Sequence, residues 1–370
     1  MRVLLLAQSY RPAQGGGPRW TTQLAEGLAG AGHDVLVLTH EIGGCRGAVH
    51  AARLEIRYLP LFTVRGAPIF SRALLDEHVA RFKPDVMQTS APSLADTLMP
   101  PNRRHGVPYF TLFHAQLGAS MPARAIQWLN VLRLKRGEWA GIAVTSGYWK
   151  TWLSQKHVDP NRIRVIPSTV AEMFSAPLPG ARRERGHFLF VGGLDAVQSY
   201  KRFDLLLAAC AMLDREPSWH LSVVGDGNLR SHYERAATEA GFGERISFLG
   251  KIDDEELHRL YSTATVTVLP SSDRREGWGL ALAEALCCGC PVLLTDGIGG
   301  ASTFGAAPGA VMVPAGKPET IRDGLHSFLL QAPDGRDAER VAFGESFHAS
   351  RVVAAYEAMY ERAIARSQKG

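Results

Sequence analysis

The chain has 370 residues, of which 46% are hydrophobic and 21% are charged, and its net charge at pH 7 is +5. These proportions exclude an intrinsically disordered chain, and five cysteines are too few for a small disulfide scaffold. No apolar run reaches the roughly 18–20 residues that cross a bilayer, which excludes a multi-span membrane protein. The length predicts two domains.

The first predicted element is a short apolar strand, Val3–Ala7. A secretory signal needs an apolar core of ~7–15 residues, so we expect a cytoplasmic protein. A glycine loop and a helix over Trp20–Leu28 follow, and further strands are predicted at Asp34–Thr39, Val86–Thr89, Pro108–Phe113 and Ile163–Ile166. Strands that alternate with helices predict a parallel α/β sheet.

Residues Arg124 to Arg136 carry the densest positive charge of the first half, on a predicted amphipathic helix. The pattern places Ile126, Leu129 and Leu132 on one side of the helix and crowds basic residues at its end. Residues 1–178 as a whole hold 20 Lys and Arg against 11 Asp and Glu. Two interpretations stay open: a core-packed helix with a solvated face, or a patch that contacts an anionic membrane surface or a phosphorylated acceptor. Nucleic acid is not favoured, because no recognition module accompanies the charge.

Between Pro167 and Gly186 the chain is rich in proline, glycine and arginine, which indicates a linker. The alternation then restarts, with strands predicted at Phe188–Val191, His220–Val224, Ile246–Leu249, Thr265–Leu269 and Val292–Thr295. We predict two doubly wound domains, 1–175 and 176–347, and a final helix within 348–370 that packs back on the first. Because such sheets bind ligands at the carboxyl ends of their strands, we expect the site in a cleft between the domains.

Cys287, Cys288 and Cys290 lie close together in the sequence, but no further Cys or His pair nearby would complete a metal site. We interpret them as buried thiols, because free cysteine is among the most buried residue types. The sequence analysis therefore predicts no metal ligands.

The strongest local signal for chemistry is the segment from Glu276 to Glu284, which has a carboxylate at each end and glycines between them. A helix that begins near Gly279 would leave Glu276 in the preceding loop and place Glu284 about one turn in. The first N–H groups of that helix would be exposed, which favours a bound phosphate. On spacing alone, a second explanation is equally good: one glutamate would interact with the helix dipole and the other would be solvated.

The segment Glu276–Val292 resembles the Glu-x7-Glu signature of retaining glycosyltransferases, most closely those of family four. Other segments resemble the same family in order along nearly the whole chain: Tyr10-Arg11-Pro12 with Gly15-Gly16-Gly17, Gly32-His33-Asp34-Val35, Arg164-Val165-Ile166-Pro167, Val224-Gly225-Asp226-Gly227 and Phe248-Leu249-Gly250. The resemblance implies the GT-B fold, an α/β architecture of two facing Rossmann-like domains with a cleft between them. The first would bind the acceptor and the second the nucleotide-sugar donor.

The resemblance also implies a role for each site residue. Glu284 would bind the nucleotide ribose, Glu276 the hydroxyls of the donor sugar, and Lys201 the diphosphate. His114 would lie near the reacting sugar, so that His114, Lys201 and Glu276 form the catalytic set. The remaining residues would bring backbone close to the donor: Gly16, Gly17, Gly192, Gly225, Gly250, Trp278, Gly279 and Leu280.

One position departs from the family pattern. Where members often carry Gly-Arg-Leu, with an arginine that binds phosphate, this chain has Gly192-Gly193-Leu194. Arg202, or Arg19 in the first domain, would have to replace that arginine. The implied reaction needs no metal and no cofactor beyond the nucleotide sugar, because lysine, backbone amides and a helix end replace the cation. It would retain the anomeric configuration by a front-side route, since the sequence identifies no carboxylate nucleophile.

Other functions stay open on the sequence. The segment Gly225–Arg230 has two of the three glycines of a dinucleotide-binding loop, but Arg230 takes the third position. A nucleotide-sugar epimerase, a phosphorylase or a non-catalytic sugar-nucleotide-binding relative would share the two-domain plan. The sequence does not specify the base (uridine or guanosine, less readily adenosine), the sugar, or whether the acceptor is a glycan or lipid-linked.

Overall fold

The structure is a computed structural model that describes residues 1–13, 15–61, 63–64, 67–89, 106–115, 120–136, 139–213, 218–331 and 334–367. It divides into two compact units, here called the first domain (Met1–Thr169 with Ala349–Gly370) and the second domain (Val170–His348). The first boundary lies a few residues before the expected position at 175. The reason is that Val170 donates its backbone N–H to Phe347 and is buried in the core of the second domain.

The first domain alternates strands and helices as the sequence predicted. Its elements are β1 (Arg2–Leu6), α1 (Gly16–Gly30), β2 (Asp34–His40), β3 (Gly47–Ala51), β4 (Leu54–Leu59), β5 (Thr63–Val64), β6 (Ala67–Pro68), α2 (Arg72–Phe82), β7 (Val86–Thr89), β8 (Tyr109–Phe113), α3 (Met121–Lys135), β9 (Gly141–Val144), α4 (Gly147–Gln155) and β10 (Ile163–Val165).

Eight of the described strands form the sheet of the first domain, in the order β10-β9-β8-β7-β1-β2-β4-β3. The neighbours pair in parallel except β3 and β4, which form an antiparallel hairpin at one edge. The central strands β1, β7 and β8 are buried almost throughout. Continuous burial of this kind is typical of parallel strands covered by helices on both faces.

The second domain repeats this plan with a sheet in the order β13-β12-β11-β14-β15-β16, in which neighbouring strands are parallel. Its elements are β11 (Glu184–Val191), α5 (Phe203–Ala211), β12 (His220–Val224), α6 (Arg230–Glu239), β13 (Ile246–Gly250), α7 (Asp254–Thr263), β14 (Ala264–Leu269), α8 (Leu280–Cys287), β15 (Val292–Thr295), α9 (Ala301–Phe304), β16 (Val311–Val313), α10 (Pro318–Leu330) and α11 (Asp337–Gly344).

The final helix, α12 (Ala349–Ser367), belongs to the core of the first domain. It packs so closely on α1 that a Cβ at Gly27 would lie 2.7 Å from a methyl group of Val353. The rings of Trp20 and Tyr356 meet edge to face, with centroids 6.2 Å apart. The last segment of the chain therefore completes the domain that the first segment begins.

Helix α3 has apolar residues on two sides. Val131 and Leu134 are buried, whereas Leu129 is 41% exposed and Ile126 and Leu132 are half-buried. The sequence left open whether the side with Leu129 packs in the core or contacts a partner, and the structure leaves Leu129 accessible.

The three clustered thiols are buried, as expected. Cys287, Cys288 and Cys290 are each 0% exposed, and burial raises the pKa of the Cys287 thiol to about 12. They are therefore packing residues rather than reactive groups. Among the described helices, none combines the length and the apolar character that crossing a membrane requires.

Candidate active site

The carboxyl edge of the second sheet is built from glycines at the ends of three neighbouring strands. Gly192 follows β11, Gly225 follows β12, and Gly250 ends β13. The Gly225 N–H donates to the Gly250 carbonyl at 2.7 Å. Gly225 has a φ of 131°, and a Cβ there would lie 2.0 Å from the Gly192 carbonyl oxygen. The structure thus brings these three predicted site residues together, and Gly225 must be glycine.

Lys201 lies against this glycine edge. It ends a 3₁₀ turn, Ala196–Lys201, and a Cβ at Gly192 would approach its Cδ to 2.8 Å. Its Nζ lies 2.5 Å from Oε2 of Glu276, and the two side chains are 14% and 12% exposed. Burial lowers the pKa of Lys201, but the Glu276 carboxylate more than offsets burial, and the net pKa is raised. Lys201 therefore stays protonated at neutral pH.

A second cation lies beside this pair, and the sequence analysis missed it. The Arg275 guanidinium carbon is 4.9 Å from the centre of the Tyr200 ring, and the Lys201 Nζ is 5.7 Å from the same ring. Arg275 also pairs with Asp273 at 2.8 Å. The run of charged residues directly before Glu276 and its glycines could have pointed to Arg275 in the sequence. Two cations therefore lie near the Tyr200 ring.

Helix α8 begins at Leu280, as predicted. Gly279 has a φ of 106°, and a Cβ there would lie 3.2 Å from Leu269, so the turn into the helix requires glycine. Trp278 is 5% exposed and packs on Phe304 with ring centroids 4.6 Å apart. Among the described residues no side chain caps this helix. Its first N–H groups lack intrahelical partners, which makes the helix end suited to a phosphate group.

Glu284 lies one turn into α8 and is 2% exposed. The Tyr261 hydroxyl donates to its Oε2 at 2.9 Å. A buried carboxylate held by a defined donor is not a solvated surface group, so the solvated alternative was wrong for Glu284. The side chain is instead fixed in orientation by α7, the helix that carries Tyr261.

At Gly193, where the family pattern has an arginine, the side-chain amide of Gln198 lies 2.4 Å from the position of a Cβ. The suggested replacement, Arg202, already has a partner. Arg202 has a φ of 54° and pairs with Asp204 through both Nε and Nη2, at 2.9 Å each. This pairing competes with a phosphate for the Arg202 guanidinium. Arg275, whose guanidinium lies with Lys201 beside the Tyr200 ring, is engaged by Asp273 in the same way, through Nε at 3.1 Å and Nη2 at 2.8 Å.

The predicted first-domain residues lie at the carboxyl edge of their own sheet. Gly16 and Gly17 open α1 just after β1, and a Cβ at either would meet nothing within 4 Å. His114 directly follows β8 and is half-buried. The strands β8 and β1 are separated by β7 alone. This edge is thus open at the glycine loop, with a histidine two strands away.

The glycines of the dinucleotide-like segment are used for internal packing. A Cβ at Gly227 would lie 2.3 Å from the backbone of Leu194, and Gly225 packs on Gly192 in the same way. Arg230 donates to the carbonyl of Phe248 at 2.8 Å. These glycines therefore serve contacts within the protein, and the third glycine position of the dinucleotide pattern is taken by Arg230.

Comparison with known families settles the relationship. A family model described as glycosyl transferases group 1 matches residues 180–344, and a second, described as glycosyltransferase family 4, matches residues 14–174. The chain belongs to the family-four glycosyltransferases. The two matches fall on the second and the first domain respectively, so family membership covers both.

Curated relatives of the same family are moderately similar in sequence. The D-inositol 3-phosphate glycosyltransferase of Mycolicibacterium gilvum (strain PYR-GCK) is 30% identical over 210 residues, which are 53% of this chain and 42% of that protein. The GDP-mannose-dependent alpha-(1-6)-phosphatidylinositol dimannoside mannosyltransferase of Mycobacterium tuberculosis (strain ATCC 25177 / H37Ra) is 26% identical over 320 residues, covering 80% and 79%. This glycosyltransferase chain spans about half the length of the first relatives that it matches.

Solved structures confirm the fold class. The sucrose-phosphate synthase from Thermosynechococcus elongatus matches with a TM-score of 0.74 at 20% identity, over 100% of this chain and 98% of that one. This likeness confirms the predicted GT-B class, an α/β chain of two parallel-sheet domains.

Proposed function

We propose that this family-four member is a hexosyltransferase that moves a sugar from a nucleotide-diphosphate donor to a hydroxyl of a glycan or lipid-linked acceptor. The observation that carries the proposal is the Lys201–Glu276 pair against the glycine edge of the second sheet. At this place the lysine can bind phosphate and the glutamate can accept hydrogen bonds from sugar hydroxyls. No metal and no further cofactor are needed for this chemistry in the proposal.

The donor diphosphate would be held by positive charge and by backbone. The Lys201 ammonium has three N–H donors, and Glu276 engages one of them, so phosphate oxygens can take the others. The start of α8 adds peptide N–H groups and the positive end of the helix dipole. Charge that develops on the leaving phosphate would thus be stabilised by groups already in position.

Glu284 would bind the ribose of the donor. A carboxylate can accept hydrogen bonds from both hydroxyls of a ribose diol, and Tyr261 fixes its orientation from behind. A buried carboxylate that lacks hydrogen-bond partners costs much free energy. Hydrogen bonds from the ribose would therefore contribute strongly to donor affinity.

On the acceptor side, Gly16, Gly17 and His114 would contact the acceptor and the reacting sugar. We propose retention of the anomeric configuration by a front-side route, in which the leaving phosphate helps to deprotonate the acceptor. Glu276 is paired with Lys201, which suits a binding role better than that of a free nucleophile. A glycosyl–enzyme adduct detected by mass spectrometry during turnover would contradict this route.

A ligand panel tests the donor site. A ligand present at about 100 times its Kd should stabilise the protein by ~2.7 kcal/mol. The thermal shifts with UDP, GDP, ADP and their sugars should differ according to the base, and the largest shift identifies the preferred nucleotide. Glu284→Gln should abolish most of the thermal shift with the nucleotides but keep the shift with inorganic pyrophosphate, because the ribose contact is removed and the phosphate contact remains.

The matched control is Glu239→Gln, an exposed glutamate at the end of α6 whose substitution should leave every shift unchanged. Nucleotide shifts equal to wild type in Glu284→Gln would contradict the ribose assignment. Release of nucleoside diphosphate only when an acceptor is added distinguishes a transferase from an epimerase. Donor binding without any turnover would instead favour a non-catalytic relative.

We also propose that the first domain meets an anionic membrane surface through α3. Met121 and Trp128 are 82% and 61% exposed and lie seven positions apart, so they share one helix face. Leu129, which is 41% exposed, lies at the border of this face, about 100° around the helix from Trp128. Arg124 extends this face near its start, and Lys135 with Arg136 lies exposed at its end. Apolar side chains flanked by basic ones are typical of helices that lie in a membrane interface.

The double variant Trp128→Ser with Leu129→Ser should reduce co-sedimentation with vesicles of anionic lipid, since it removes the apolar contact but not the charge. Binding should also fall as salt rises, because the basic residues act through a screened field. The exposed Val49→Ser serves as the control, on the β3 edge of the same domain. Equal binding of the double variant and wild type would contradict the role of α3.

A further inference from the structure

At the amino-terminal edge of the second sheet, three potential metal ligands lie together. Glu184 and His187 are on β11, and His220 begins β12, paired with His187 in register. One ligand atom from each lies within 4.8 Å of the other two. Val191, at the glycine edge, is four residues along the strand from His187, about 13 Å away. The cluster is therefore separate from the proposed donor site.

His187 is the central observation. The residue is 2% exposed, and its Nε2 lies 2.9 Å from the Ser222 hydroxyl. Within the described residues, its buried Nδ1 has no hydrogen-bond partner. Oε2 of Glu184 is 3.1 Å from this Nδ1 but is not aligned as a hydrogen-bond acceptor. A buried ring nitrogen thus faces a carboxylate without the hydrogen bond that would satisfy both.

Ser222 lies where it can orient the ring of His187. If Nε2–H donates to Ser222, the lone pair lies on Nδ1, the atom that faces Glu184. Ser222 would then orient the ligand, as second-sphere partners of metal-bound histidines do.

The distances are close to those of a tetrahedral site. Zn²⁺ bonds of about 2.0–2.2 Å in a tetrahedral site place neighbouring ligand atoms about 3.3–3.6 Å apart. Nδ1 of His187 already lies 3.1 Å from Oε2 of Glu184, and Nε2 of His220 lies 3.9 Å from the same oxygen. The two imidazole rings are stacked, with centroids 4.1 Å apart. The His220 ring must therefore turn to share an ion, and at 45% side-chain exposure it has room to do so.

We propose that Glu184, His187 and His220 form a binding site for a divalent transition-metal ion of the Zn²⁺ class, with water as the fourth ligand. Imidazole and carboxylate together suit Zn²⁺ and its neighbours better than Ca²⁺ or Mg²⁺. The ion would tie the starts of β11 and β12 together, a structural role. It would not take part in sugar transfer, because it lies at the opposite edge of the sheet from Lys201.

Titration calorimetry with ZnCl₂ on untagged, EDTA-treated protein tests the site, with Co²⁺ absorption reporting the ligand geometry. Wild type should bind one ion per chain. His220→Gln, at a half-exposed position where the variant should fold normally, should weaken affinity by more than about 100-fold, and Ser222→Ala by about 10–100-fold. His232→Gln, an exposed histidine on α6, is the matched control and should bind as wild type does.

Zinc should also raise the melting temperature of wild type but not of His220→Gln. Absence of binding to wild type would overturn the proposal. Equal affinity in wild type and His220→Gln would overturn it as well, because the ion would then lie elsewhere. The nucleotide thermal shifts should be the same with zinc and with EDTA. A failure of the metal site is therefore distinguishable from a failure of the proposed donor site.

Discussion

Substitution of Lys201 by alanine is expected to lower kcat/KM for sugar transfer by about 10²–10³-fold, the loss typical when one preorganised charge-stabilising donor is removed. The ammonium lies 2.5 Å from Glu276 and against Gly192, and alanine removes this charge entirely. The pyrophosphate thermal shift should be lost as well. Initial rates with saturating acceptor, together with the ligand panel, measure both effects.

Two further variants separate charge from geometry. Lys201→Arg keeps the positive charge but replaces a compact ammonium with a planar fork, so it should recover pyrophosphate binding more than turnover. Lys317→Ala, an exposed lysine before α10, should behave as wild type. Turnover within a few-fold of wild type in Lys201→Ala would contradict the catalytic assignment, provided that its melting temperature shows a folded protein.

Substitution of Arg340 by alanine is expected to lower the free energy of unfolding by about 3 kcal/mol, at the low end for breaking a buried ion pair. Arg340 is 1% exposed, and it donates to both oxygens of Asp334 at 2.8 Å and to the Gly289 carbonyl at 2.6 Å. The low-end value applies because Asp334 is 32% exposed and water can partly replace the lost partner. Urea unfolding measures the change.

The same contact predicts a pH dependence. Hydrogen bonds from Arg340 hold the pKa of Asp334 below its usual value. The folded protein therefore binds fewer protons than the unfolded chain, so this stabilisation is present above about pH 4 and is lost as the pH falls below it. Arg340→Ala should flatten that acid dependence. Arg336→Ala, a half-exposed partner of the same aspartate at 3.4 Å, should change stability by less than about 0.5 kcal/mol.

The part of the site that is local in sequence could be predicted. The glycines around Trp278 forced the start of α8 at Leu280, and that start placed Glu284 one turn in. The Lys201–Glu276 pair joins residues 75 positions apart, and the sequence pattern alone gave no distance between them. Only the resemblance to a family suggested a shared site.

The parts that could not be predicted depend on tertiary packing. Helix α3 has two apolar stripes, and which one is buried depends on neighbours that the periodicity does not contain. The burial of Glu284 depends on Tyr261 from another helix. The Glu184 cluster arises from the strand register that pairs His187 with His220, which the sequence does not specify. The hairpin of β3 and β4 also lay outside the predicted strands.

The return of α12 to the first domain has a consequence for synthesis on the ribosome. The second domain is one continuous stretch, Val170–His348, whereas the first lacks part of its core until Ala349–Ser367 has been made. The surface of α1 that receives Val353 and Tyr356 stays uncovered until then. The amino-terminal domain is therefore the last to finish folding, the reverse of the usual vectorial order.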